Sequence, residues 1–172
     1  MAYRTRTYIA ADWDHDKDAV EQLRKWNDNK YWSLSFTDAH DLTSARDSSL
    51  NCSIKSSLKM RMDASKTFVL IVGEHTNTVT AGSCYWCNSY NSHTYTCARG
   101  HYADYRSYIK YECDKAVEAC IKIIVLYNST SIDKSKCPEA VRYKGTHVAM
   151  VYTGNDGKEY WNYTAVKSAF DS

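Results

Sequence analysis

Residues 105–127, YRSYIKYECDKAVEACIKIIVLY, confine this chain to few folds. In the first part, Ile109, Cys113, Ala116, Val117 and Cys120 recur at steps of three and four, the spacing of one helical stripe. In the last part, residues 122–127 form a short apolar run rich in β-branched side chains, which reads as a buried strand. A helix that passes straight into a buried strand is half of an α/β unit. A chain that repeats the unit builds a parallel sheet with helices on both faces. One residue of this helix is out of keeping with its surroundings. Glu112 lies at the edge of the apolar stripe, beside Ile109 and Ala116 and one turn from Tyr108. Carboxylates seldom sit there without a partner or a chemical task.

The unit recurs along the chain. Residues 8–11 predict a first strand, followed by the acidic loop Asp12, Asp14, Asp16. A helix follows, with Asp18 and Glu21 spaced as a capping box and Ala19, Val20, Leu23 and Trp26 facing inward. Trp32, Leu34 and Phe36 alternate with Ser33 and Ser35, the pattern of a half-buried second strand. Leu50, Ile54, Leu58 and Met62 predict a helix capped by Asp47 or Ser48. Residues 66–73, KTFVLIVG, are apolar on both faces and belong in the middle of a parallel sheet. Pro138 opens a short helix over 139–142, residues 147–152 predict a fifth strand, and 161–170 a last helix. The expected fold is α/β, a flavodoxin-like three-layer sandwich. It has a five-stranded parallel sheet of order 2-1-3-4-5 with helices on both faces. The 172 residues fit one domain, 1–172, with a long loop insertion at about 74–103.

In such a sheet ligands bind beyond the carboxyl ends of the strands, at the switch point between strands 1 and 3. Loop position makes Ala11, Asp12 and Trp13, after the first strand, and Phe36 and Asp38, at the end of the second, candidate substrate contacts. The third loop delivers the helix that carries Glu112. A helix capped by Ser107 places Glu112 near the rim of the crevice. The loop also holds Cys84, Cys87, His93 and Cys97, with His101 spare, a spacing that can hold a structural zinc and staple the insertion.

Composition narrows the remaining classes. A net charge of +2 and the lack of a basic groove point away from nucleic acid and acidic membrane surfaces. The start of the chain has no signal-peptide core and no run approaches membrane-span length, so the expected location is cytoplasmic. Seven cysteines, an odd and scattered number, then read as thiols or metal ligands and not as a disulfide frame. Val72-Gly73-Glu74 ends the third strand without the phospho-acceptor Asp of a receiver domain.

The stretches YIAADWDHD, SLSFTDAHDL, SIKSSLKMRMDASKTFVLIVG and YIKYECDKAVEACIKIIVLY resemble the Toll/interleukin-1 receptor (TIR) domain family. Within it they resemble the bacterial branch that includes the NAD-cleaving sensor of the Thoeris anti-phage defence system. The resemblance covers most of residues 3–127. Its most specific piece is an aromatic residue four positions before a Glu in the third helix, here Tyr108 and Glu112. The aromatic is Tyr where Trp is frequent, and the preceding loop is longer than usual. The resemblance implies a TIR-like fold, Glu112 as the catalytic residue of NAD+ cleavage and Tyr108 lining its pocket. It implies no required cofactor, since NAD+ is the substrate, and a cyclic, conjugated or linear ADP-ribose-derived signal as product. It also implies self-association, a phage-derived trigger and a separate effector protein that reads the product.

The chemistry agrees with a lone carboxylate. Breaking the nicotinamide–ribose bond builds positive charge on the ribose, as in glycoside hydrolysis. Nicotinamide is cationic in NAD+ and leaves neutral, so no acid is needed for the leaving group, and one carboxylate that steadies the cation suffices. Two other classes remain. One is a non-catalytic TIR scaffold that acts by self-assembly, in which Glu112 is an ordinary helix residue paired with Lys115. The other is a nucleoside deoxyribosyltransferase-like enzyme with Glu112 as nucleophile. The first is separated from the enzyme by whether Glu112 opens into a pocket, the second by turnover of deoxynucleosides.

Overall fold

The structure is a computed structural model, and it describes residues 3–42, 50–97, 100 and 102–172. In chain order the elements are β1 (Arg6–Ala10), α1 (Lys17–Asp28), α2 (Asn51–Asp63) and β2 (Ser65–Val72), then the short strands β3 (Tyr90–Asn91) and β4 (Thr96–Cys97). They continue with α3 (Tyr108–Glu118), β5 (Lys122–Tyr127), β6 (Thr146–Ala149), β7 (Val151–Thr153), β8 (Glu159–Trp161) and α4 (Tyr163–Asp171). β1, β2, β5 and β6 form a parallel sheet in the order β1-β2-β5-β6. β3 with β4 and β7 with β8 are small antiparallel pairs outside it.

Two apolar layers cover the two faces of the sheet. Tyr8, Phe68, Leu70, Val125 and Tyr127 meet α2 and α3 through Leu58, Met62, Ile109, Cys113 and Ala116. Ile9, Val69, Ile71, Ile124 and Leu126 meet α1 and α4 through Ala19, Val20, Leu23, Val166 and Ala169. Phe68, Val69, Leu70 and Ile71 are all fully buried, which is why β2 reads as apolar on both faces. Each such side chain contributes about 1.5–3 kcal/mol of transfer free energy, so β2 is the axis of the core.

Among the described residues the sheet has four strands, not the expected five, because residues 32–36 do not form a strand. The residues after them, Thr37 and Asp38, meet the outer edge of β1 through the Thr7 N–H to Thr37 carbonyl bond (2.8 Å), one parallel bridge of Thr7 with Asp38 and the Arg6 guanidinium on the Asp38 carbonyl (3.3 Å). Two local features explain the lack of a strand at 32–36. Ser35 takes φ +56°, which turns the chain out of the extended region. The Asn27 side chain takes both backbone groups of Phe36: its Oδ1 accepts the N–H and its Nδ2 donates to the carbonyl, each at 2.9 Å. These bonds tie the Phe36 backbone to α1.

Smaller corrections follow the same logic. The predicted fifth strand breaks at Met150, whose N–H donates to the Tyr127 carbonyl (2.8 Å), and its remainder pairs away as β7. Trp161 belongs to β8 and the last helix starts two residues later. The Asp18–Glu21 capping box does not form; α1 begins at Lys17, and Asp16 precedes it without a side-chain cap. Helix α3 ends at Glu118, and Cys120, expected on its stripe, is exposed at φ +52° in the turn into β5. The proposed caps Asp47 and Ser48 lie outside the described residues. Among the described residues no helix is long and apolar enough to cross a membrane.

Candidate active site

Helix α3 begins as its sequence predicts. Ser107 is the N-cap, and its hydroxyl oxygen accepts the Lys110 N–H at 3.2 Å. From that start Glu112 falls in the second turn and points back over β1, where Tyr8 waits. The Tyr8 hydroxyl donates to Glu112 Oε1 at 2.5 Å. Tyr8 is fully buried and Glu112 is 8 % exposed. Lys115, the partner a solvent-facing Glu112 would use, pairs with Glu118 (2.6 Å) instead.

Glu112 opens into a cleft of about 480 Å³, within the usual range for small-molecule sites. Its walls come from several elements. Ala11, Asp12 and Trp13 follow β1; Leu58 and Arg61 lie on α2; Tyr108 and Ile109 open α3; Val79 and Ala81 come from the long loop. Five of the seven residues singled out in the sequence therefore meet here: Glu112, Tyr108, Ala11, Asp12 and Trp13. Asp12 is held in place, with one oxygen on His15 Nδ1 (2.7 Å) and the other accepting the Asp14 N–H (3.2 Å). Trp13, 40 % exposed, forms the rim against the His40 ring (5.4 Å between centroids, edge-on) and under the Arg24 guanidinium (5.2 Å).

Tyr108 is fastened as a wall. Its hydroxyl donates to Asn51 Oδ1 (2.9 Å) and its N–H to the Ala81 carbonyl (2.8 Å). Gly82, at φ +94°, lies so close that a Cβ there would stand 2.5 Å from the Tyr108 ring. Only glycine meets both conditions. Burial pushes the Tyr108 hydroxyl up to about 12, so it stays a neutral donor at any physiological pH.

Two predicted contacts do not reach the cleft. Phe36 turns to the opposite side of the sheet and stacks on Phe170 (5.5 Å, 17° between planes). Asp38 binds Arg24 Nη2 (3.1 Å), the His40 N–H (2.9 Å) and His40 Nδ1 (2.8 Å). Burial pushes its carboxyl up, but the hydrogen bonds from His40 and the contact with Arg24 outweigh burial and hold it down to about 2. A permanently ionised Asp38 orients His40, which does line the cleft. Three residues that shape the site escaped the sequence reading: Tyr8, Arg61 and His40. Arg61 is buried and helps to hold Glu112 ionised by its charge. No spacing signal ties these positions to Glu112, since each reaches it from a different element.

The electrostatics suit a carboxylate poised for chemistry. Desolvation raises the Glu112 carboxyl from 4.5 to about 7, against the lowering influence of the Tyr8 hydrogen bond and the Arg61 charge. The group is thus half ionised near neutrality. A cationic ring entering the cleft favours the ionised form. A second cleft, of about 510 Å³, lies between α3 and the turn after Pro138. Its Arg106 is already engaged by Asp104 and Asp114 (2.9 and 2.7 Å) and it holds no desolvated carboxylate comparable to Glu112.

The long loop contains one turn of 3₁₀ helix, Cys84–Trp86, and the β3–β4 hairpin. The structure does not bring Cys84, Cys87, His93 and Cys97 together as a ligand set: among the described residues no three His, Cys, Asp or Glu side chains are grouped to hold a metal ion. His101 lies outside the described residues.

A family model described as "Thoeris protein ThsB, TIR-like domain" matches residues 7–81. That span holds all of β1 but Arg6, with α1, α2, β2 and the Val79–Ala81 wall, and it ends before α3 and Glu112. No curated protein matches the chain.

Proposed function

This chain carries a TIR-like domain of the Thoeris type, and from that premise we propose that it is an NAD+-cleaving enzyme. It breaks the nicotinamide–ribose bond and releases an ADP-ribose-derived signalling nucleotide in anti-phage defence. The observation that supports this reading most directly is the desolvated Glu112 carboxylate that lines the cleft, held by the Tyr8 hydroxyl.

On this reading each residue of the cleft has a role. Ionised Glu112 faces the nicotinamide ribose and offsets the positive charge that grows as the N–C bond lengthens. Tyr8 fixes the rotamer of the carboxylate and leaves its second oxygen for the ribose. Tyr108 and Ile109 give a flat apolar wall for a ring, and Trp13 closes the rim. Arg61 supplies positive charge for the diphosphate. The apolar side chains Ile54, Leu58 and Val79 limit water near the reacting carbon, so a nucleophile on the substrate itself, or on a second molecule, competes for the cation and yields a cyclic or conjugated product. A separate effector protein reads that product, and a phage-derived trigger with self-association sets when the cleft works.

The test compares the purified chain with its Glu112→Gln variant. Each is incubated with NAD+, with and without lysate of phage-infected cells, and products are identified by mass spectrometry. The expected result is nicotinamide and an ADP-ribose derivative from the wild type, and a loss on the order of 100-fold or more in the variant. Equal nicotinamide release by both proteins, or none from the wild type under any condition, overturns the reading.

A further inference from the structure

Three of the seven cysteines gather behind the Tyr108 wall, and the chemistry above uses none of them. Cys52 lies in the first turn of α2, Cys84 opens the 3₁₀ turn Cys84–Trp86 of the long loop, and Cys87 is its C-cap. All three are free thiols, and all three adjoin residues that fasten Tyr108: Cys52 follows Asn51, and Cys84 and Cys87 follow Gly82 and Ser83. The Cys87 N–H donates to the Cys84 carbonyl at 3.1 Å. A bond of that type holds the two Cα atoms within about 7 Å, and a disulfide spans Cα separations of about 4.4–6.8 Å. The turn therefore brings the two Cα atoms close to the span of a disulfide.

The two thiols are unequally placed. Cys87 is half-buried and open to a small solute, whereas Cys84 is buried. The Cys84 sulfur accepts the Asp104 N–H at 3.2 Å. It also lies within charge range of the buried Lys55 ammonium, which is itself held by the Asp104 and Arg106 carbonyls (3.3 and 2.8 Å).

We propose that Cys84 and Cys87 form a reversible dithiol–disulfide site whose reaction partner is a low-molecular-weight disulfide. The Cys87 thiolate attacks one sulfur of the small disulfide, forms a mixed disulfide and releases one thiolate. The Cys84 thiolate then attacks the Cys87 sulfur, closes the Cys84–Cys87 bond and releases the second thiolate. The two protein sulfurs each lose one electron, the two sulfurs of the small molecule each gain one, and the protons of the protein thiols pass to the released thiolates. The site is coupled to the cleft by covalent proximity. The turn follows directly on Gly82, which packs on the Tyr108 ring, and on Ser83, whose carbonyl accepts from the Asn51 amide (3.1 Å) that also receives the Tyr108 hydroxyl.

The test reads sulfur chemistry and not turnover, so its outcome is independent of the NAD+ reading. The full chain is equilibrated in oxidised and reduced glutathione, quenched, and examined by intact mass and peptide mapping. The expected result is loss of two hydrogens with the bond mapped to Cys84–Cys87, reversed by dithiothreitol. Cys87→Ser abolishes it, Cys52→Ser and Cys120→Ser retain it, and Cys84→Ala traps glutathione on Cys87. The proposal is overturned if both thiols stay reduced while exposed Cys120 alone takes up glutathione, if the bond maps to Cys52, or if the purified chain holds one zinc ion that blocks these thiols.

Discussion

Replacing Glu112 with Gln separates stability from chemistry in a way only a desolvated carboxylate allows. Gln has the same shape and keeps an oxygen to accept the Tyr8 hydroxyl, but it cannot ionise. In the wild type the folded-state carboxyl titrates at about 7 against an ordinary 4.5. The raised value means that the folded protein binds the proton more tightly than the unfolded chain. The stability associated with the neutral group is therefore fully present below about pH 4.5 and is lost as pH rises through about 7. A difference of about 2.5 units at 1.36 kcal/mol each is roughly 3.4 kcal/mol in total, of which about 2.5 kcal/mol falls between pH 5 and pH 9. Urea unfolding of both proteins at those two pH values measures it. Wild type loses about 2.5 kcal/mol more than Glu112→Gln on going from pH 5 to pH 9, so the inactive variant is the more stable protein in alkali. If the two curves fall in parallel, within about 0.5 kcal/mol, Glu112 is solvated and the argument from burial to chemistry is wrong.

Three further outcomes follow from the same geometry. Tyr8→Phe removes the donor from a carboxylate in a dry site; a hydrogen bond to a charged group is worth about 1.5–3 kcal/mol, so the limb of the kcat/KM profile set by Glu112 ionisation moves to higher pH by about 1–2 units, and an unshifted profile refutes Tyr8 as the positioning residue. Arg61→Gln removes positive charge from the cleft: KM for NAD+ is expected to rise about 10- to 100-fold with the Glu112 limb also displaced to higher pH, whereas an unchanged KM excludes Arg61 from substrate binding. Gly82→Ala puts a Cβ onto the Tyr108 ring at a positive φ; thermal denaturation is expected to show a loss of at least about 1 kcal/mol, or about 2–4 °C, and an unchanged midpoint means that the loop does not pack on Tyr108 as described.

The sequence alone determined the elements whose information is local. The run of residues 66–73 is apolar on both faces and became the central strand β2. Ser107 sits three residues before Lys110 and caps α3, and the periodicity after it placed Glu112 beside the buried stripe. Glu112, Tyr108 and the loop after β1 could be brought toward one crevice because alternation of strands and helices dictates where strand ends lie. What only the tertiary structure decided depends on contacts between distant positions. Tyr8 stands 104 residues from Glu112 and meets it across the layer between β1 and α3, and Arg61 enters from α2. Residues 32–36 alternate like a strand, yet the Asn27 amide, nine residues away, captures the Phe36 backbone and Phe36 turns to Phe170 on the far face. Alternating polarity records which side chains are buried, but a strand also needs a partner for its backbone, and that partner is supplied by the fold.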